Sequence, residues 1–135
     1  MHQQYQLAHR DALAIVTRIQ AELEKDNKGA AVAVVDRHGE LMAFLRTDGC
    51  PLTSITIAIN KAFTAARERQ ESRAVGDRSR KEDWPMSNLG DSRFVSWGGG
   101  VPIVYQGEVV GAVGVSGLTE DEDVELARLG TSLIE

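Results

Sequence analysis

Trp97-Gly98-Gly99-Gly100-Val101-Pro102-Ile103-Val104-Tyr105-Gln106-Gly107-Glu108-Val109-Val110-Gly111-Ala112-Val113-Gly114-Val115-Ser116-Gly117 is the stretch on which the fold turns. Val101 to Tyr105 and Val109 to Val115 are rich in β-branched residues, and Gln106-Gly107 between them supplies a tight reversal, so the run reads as a β-hairpin. Alternate strand residues face opposite sides. Val109, Val113 and Val115 are therefore expected on one face with Gly111, and Val110 and Ala112 on the other with Gly114. Neither face is polar, which places the second strand near the middle of a covered sheet. Glycine weakens a strand unless something approaches its backbone closely, and for Gly111 and Gly114 a packed helix is the simplest such neighbour. Gly98, Gly99 and Gly100, followed by Pro102, read instead as an irregular, exposed loop whose N–H groups could receive an anion.

Working outward from the hairpin, Ala8, Ala12, Ile15, Ile19 and Leu23 recur every three or four residues, with Leu13 and Val16 beside them. They predict an amphipathic helix from about Tyr5 to Lys25, ended near Gly29. Ala31 to Val35 and Glu40 to Arg46 flank the turn Asp36-Arg37-His38-Gly39 and make a second hairpin. After the break at Asp48-Gly49-Cys50-Pro51, Thr53 or Ser54 caps a helix running to about Glu71. Ile55, Ile59, Ala62 and Ala66 are its expected core face, with Asn60, Lys61 and Thr64 pointing roughly the other way.

Gln70 to Trp97 shows no clear period, which predicts a functional lid or a short concealed helix. Thr119 and Glu122 have the spacing of a capping box, and Val124, Leu126, Ala127, Leu129, Leu133 and Ile134 supply the apolar face of a last helix. Helix, two strands, helix, connection, two strands, helix is the order of an α+β domain with a mainly antiparallel sheet, and 135 residues form one such domain.

Composition excludes several classes. A net charge of −5, with no basic stripe alternating with aromatics, argues against nucleic-acid binding. The aromatic share of 5% implies a core of Val, Ile, Leu and Ala. No segment has membrane-spanning length, and the lone Cys50 is compatible with a reducing, cytoplasmic setting. Cys50 has no histidine neighbour in sequence, and His2, His9 and His38 are scattered, so no metal site is expected. The acidic run Glu120 to Asp123 has a structural explanation at a helix start. The triple glycine is no phosphate loop, and Ser116 sits in no nucleophile elbow.

What remains is a polar set, Arg46, Asp48, Lys61 and Thr64, at a strand exit and on one helix face. Arg46 could grip a carboxylate with two hydrogen bonds, while Asp48 or Lys61 moves a proton. A turn contact between Arg46 and Asp48, with Lys61 in water, is the plainer alternative.

Val34-Val35-Asp36-Arg37-His38-Gly39-Glu40-Leu41, Arg46-Thr47-Asp48-Gly49, Lys61-Ala62-Phe63-Thr64-Ala65-Ala66 and Gly99-Gly100-Val101-Pro102-Ile103 occur in that order. With Gly107, Gly111, Gly114, Val115, Ser116 and Gly117 they resemble the GlcG/HbpS family, also called the haem-degrading domain family. The resemblance implies a profilin-like sandwich, a homo-oligomer and, as in some members, haem or tetrapyrrole binding. Together with the polar set and the glycine run, the candidate contacts to a small-molecule ligand are Arg46, Thr64, Gly98, Gly99, Gly100, Pro102 and Ser116, with Asp48 and Lys61 as catalytic candidates; the resemblance itself does not imply an enzyme. Thr47 and Cys50 depart from the family pattern, and no haem axial ligand carries over. Two other readings stand beside it: a small catabolic enzyme acting on a dicarboxylate or hydroxy acid, and a structural oligomeric subunit.

Overall fold

The structure is a computed structural model that describes residues 1–134. In chain order the elements are α1 (His9–Lys25), β1 (Ala31–Asp36), β2 (Leu41–Arg46), α2 (Ser54–Glu68), α3 (Ser72–Glu82), a short 3₁₀ turn (Met86–Leu89), β3 (Gly100–Tyr105), β4 (Glu108–Ser116) and α4 (Glu120–Thr131). The four strands form one antiparallel sheet in the order β2-β1-β4-β3. This is the expected α+β sandwich. No described helix is long and apolar enough to cross a membrane.

β1 and β4 are the inner strands, which is why both are apolar on both faces. On one face, Val32, Val34, Val113 and Val115 pack with Ala12, Ile15, Ile19 and Leu23 of α1 and with Ala127 of α4. On the other, Ala31, Ala33, Val35 and Ala112 meet Ala58, Ala62, Ala65 and Ala66 of α2. Small side chains on both partners of this second layer let α2 lie very close to the sheet.

Glycine completes that approach. A methyl group at Gly114 would lie 2.0 Å from the Ala58 carbonyl oxygen, and one at its cross-strand partner Gly100 would lie 2.1 Å from the Lys61 carbonyl oxygen. Gln106 and Gly107 both adopt positive φ, 48° and 80°, as a two-residue hairpin turn of the primed type requires. Pro102 is tolerated because β3 is an edge strand and can lack one N–H.

Several expectations need correction. α1 begins at His9, after an extended Ala8 whose N–H donates to the Asp11 carboxylate. Val110 belongs to the α1 face, because a register shift between Ile103 and Val104 gives β4 one extra residue there. The connection after Gln70 takes the concealed-helix alternative, holding α3 and the 3₁₀ turn. The Phe94 ring packs on Phe63 at 5.0 Å with the planes tilted by 60°, and the Arg93 guanidinium lies 4.0 Å above the Phe63 ring. Gly98, Gly99 and Gly100 are buried, not exposed.

Candidate functional site

Lys61 lies three residues after Ala58 and four before Ala65, and so it sits on the core stripe of α2. It is 3% exposed. Asp123 occupies the same kind of position on α4, four residues before Ala127, and is also 3% exposed. The two meet: Lys61 Nζ donates to Asp123 Oδ2 at 3.1 Å and to the Val115 carbonyl at 3.0 Å, while Leu118 N–H donates to Asp123 Oδ1 at 3.1 Å. Burial pushes the Asp123 carboxyl above its ordinary range, and the Lys61 charge, its hydrogen bond and the Leu118 N–H oppose that rise.

This pair forms part of the lining of a recess of about 440 Å³ where the end of β4, the start of α2, the start of α4 and the glycine run converge. Pro51, Ile57, Trp97 and Leu118 supply its apolar surface. Ser54, Ser116, Lys61, Glu120 and Asp123 supply the polar part. Ser54 and Ser116 are 5% and 4% exposed. Their hydroxyls have no partner among the described residues, and neither oxygen is sealed from the recess. Trp97 is 59% exposed. Leaving that much indole in water at the mouth is costly unless something packs on it.

The glycine run does not present three free donors. Gly98 N–H donates to Glu120 Oε1 at 2.6 Å, and Gly100 N–H donates to Ser72 Oγ at 2.9 Å. Glu120, at the first turn of α4, thus already occupies the position an incoming anion would take, with the Arg73 Nε behind it at 3.5 Å. Gly99 has φ of 127° and packs against Lys61, where a side chain would meet Nζ at 2.8 Å.

Of the residues singled out from sequence, Lys61, Gly98 and Ser116 line the recess. Thr64 is fully buried and structural: its hydroxyl donates to the Asn60 carbonyl and accepts from Val95 N–H. Gly100 and Pro102 lie in β3, outside the lining. Arg46 and Asp48 lie elsewhere, in a separate groove of about 280 Å³ shared with Gln20, Glu24, Asn27 and Lys28. The set Arg46, Asp48 and Lys61 is therefore not assembled into one cavity, because β2 is an edge strand and its end opens toward α1. Lys61 and Thr64, expected to face water, point inward. Ser54, Ile57, Leu118, Glu120 and Asp123 join the site without having been picked out. Cys50 is half-buried, and burial pushes its thiol up, which disfavours a nucleophilic thiolate.

No cluster of three or more His, Cys, Asp or Glu suited to a metal ion exists among the described residues. A second recess of about 270 Å³, lined by Tyr5, Leu7, Tyr105, Val110 and Ile134 among others, carries Asp11 as its only charged side chain.

The architecture defines a class: a four-stranded antiparallel sheet sandwiched by helices, with a ligand-sized recess at the exit of an inner strand. A family model described as "Haem degrading protein HbpS-like" matches residues 7–132. The chain belongs to this family, known also through GlcG. Protein GlcG of Escherichia coli K12 is 37% identical over 116 residues, covering 82% of this chain and 81% of that protein. The crystal structure of HbpS superposes with a TM-score of 0.89 at 28% identity, over 100% of this chain and 94% of that one. PduOC, solved as a haem complex, has the same fold, with a TM-score of 0.88 at 21% identity over 97% and 96% of the two chains.

Proposed function

We propose that the protein is a haem- or tetrapyrrole-binding accessory protein, and that the recess between Trp97, Ser116 and Lys61 receives the edge of the macrocycle. The observation that carries this reading is the lining itself. Pro51, Ile57, Trp97 and Leu118 offer apolar contact at an open mouth, backed by the unpartnered hydroxyls of Ser54 and Ser116. The family description supports the choice of ligand class.

The residues present fit a packed guest and not an axially ligated one. No His, Cys, Met or Tyr lines the recess, and Lys61, paired as an ammonium with Asp123 and Val115, has no lone pair to offer an iron. Haem, when bound, would supply a redox-capable iron; the chain's own residues supply packing, hydrogen bonds and exclusion of water. The catabolic-enzyme reading lacks its assembled constellation, since Arg46 and Asp48 open on another groove.

The proposal includes self-association in the cytoplasm, for which the exposed Leu13 and Leu133 beside Ala14 on α1 are the supporting surface. Sedimentation velocity reads that directly. For the ligand, haemin titration should give a saturable Soret shift near stoichiometry. Trp97→Ala should weaken binding about tenfold by removing the exposed indole. Featureless, unsaturable absorbance, or identical curves for both proteins, would count against the reading.

A further inference from the structure

We propose that Lys61 captures small uncharged aldehydes and ketones, hydroxyaldehydes above all, as an imine on the floor of the recess. This inference shares the cavity with the haem reading but does not depend on its chemistry.

Three observations carry it. First, an ammonium has three donors, and the protein uses two of those of Lys61, a side chain that helps to line the recess. Second, Asp123 Oδ2 stands 3.1 Å from the nitrogen and already accepts one of its hydrogens, so it is placed to take that proton and return it. In so buried a pair, proton transfer removes two charges from a poorly solvating environment. Third, Ser54 and Ser116 point unpartnered hydroxyls at the cavity, suited to hold a carbonyl oxygen and a neighbouring hydroxyl.

The step balances without an oxidant or reductant. Lys61 gives one proton to Asp123, the amine turns about its Cε–Nζ bond, and the freed lone pair forms a bond to the carbonyl carbon while the C=O π pair moves to oxygen. Proton redistribution gives a neutral carbinolamine. Asp123 then protonates the hydroxyl, the C–O bond breaks, and water leaves. The product is a protonated imine on Lys61 facing an ionised Asp123, so the buried ion pair present at the start is present at the end. Substrate charge is selected too. Glu120 already holds Gly98 N–H and faces the same space, so an oxo acid would bring its carboxylate against a carboxylate.

The test is reductive trapping on the intact protein. Glycolaldehyde and cyanoborohydride are added at neutral pH, and peptide mass mapping follows the hydroxyethyl adduct on Lys61 against Lys25, Lys28, Lys81 and the N-terminus. Labelling of Lys61 about tenfold faster than of the exposed amines is expected, with glyoxylate trapped more slowly than glycolaldehyde at that one position. A Ser54→Ala, Ser116→Ala double replacement, which keeps the ion pair, should slow Lys61 alone. Labelling of Lys61 no faster than that of the surface lysines overturns the proposal, as does a rate indifferent to both serines. Haemin binding is read by absorbance without reductant, so either idea can fail while the other stands.

Discussion

Replacing Asp123 by Asn is the perturbation that most sharply probes the floor of the recess. Asparagine keeps a side-chain oxygen for the Leu118 N–H and almost the same volume, but it sets an amide NH2 against Lys61 Nζ, so the change removes both the charge and the acceptor beside Lys61. Two opposite charges 3.1 Å apart attract by about 5 kcal/mol at an effective dielectric near 20. Stranding Lys61 without its anion should therefore cost about 3–5 kcal/mol. For a chain of this size that corresponds to a melting temperature lower by roughly 10–20 °C. Urea unfolding followed by circular dichroism reads the loss directly. Lys61→Met and Asp123→Leu should each cost a similar amount alone, whereas the double replacement Lys61→Met, Asp123→Leu should recover most of it, because no uncompensated charge stays behind. An Asp123→Asn cost below about 1 kcal/mol, or strict additivity in the cycle, would refute the reasoning that these two groups are desolvated partners.

Gly114→Ala should destabilise by about 3 kcal/mol or more, since its methyl meets the backbone oxygen of Ala58 at 2.0 Å and backbone cannot step aside. Gly49→Ala, with φ of 86° and nothing within 4 Å, should cost only about 1 kcal/mol in the same denaturation assay. Two carboxylates should drive opposite pH slopes of stability. Hydrogen bonds from the Arg93 side chain and backbone hold Asp91 at about 2, below its ordinary 3.8, so its contribution is present above that ordinary value and is lost as pH falls toward 2. Asp91→Asn should flatten the acid limb. Asp123 is raised, so the folded chain holds that proton more tightly than the unfolded one, and its contribution declines as pH climbs from the ordinary carboxylate value to its native one. Asp123→Asn should remove that slope.

The architecture was legible because the hairpins, the capping box and the helical stripes are all local patterns. Thr119 and Glu122 do cap each other, with Glu122 N–H donating to Thr119 Oγ1 at 3.2 Å. Gly114 was correctly expected to admit a helix. The site was harder to read, since it depends on where charges fall relative to packing faces. Lys61 at the spacing of Ala58 and Ala65, and Asp123 at the spacing of Ala127, are opposite charges on two core stripes, a signal that they pair. Reading the acidic run only as complementing a helix dipole concealed it. The glycine loop was misjudged for a different reason: Glu120, distant in sequence, folds back onto the N–H of Gly98. Nor does the end of an edge strand announce its direction, and Arg46 therefore fell in the wrong cavity.

The recess between Trp97, Ser116 and Lys61 is the ligand site on which the proposed function depends. Amide chemical shifts recorded while zinc protoporphyrin, a diamagnetic stand-in for haem, is titrated into the labelled protein address this most directly. The predicted result is saturable perturbation concentrated on Gly98, Ser116, Gly117 and Leu118, with the Trp97 indole among the largest shifts. Saturable perturbation centred instead on Tyr5, Leu7, Tyr105 and Val110 would contradict it, as would shifts that never saturate.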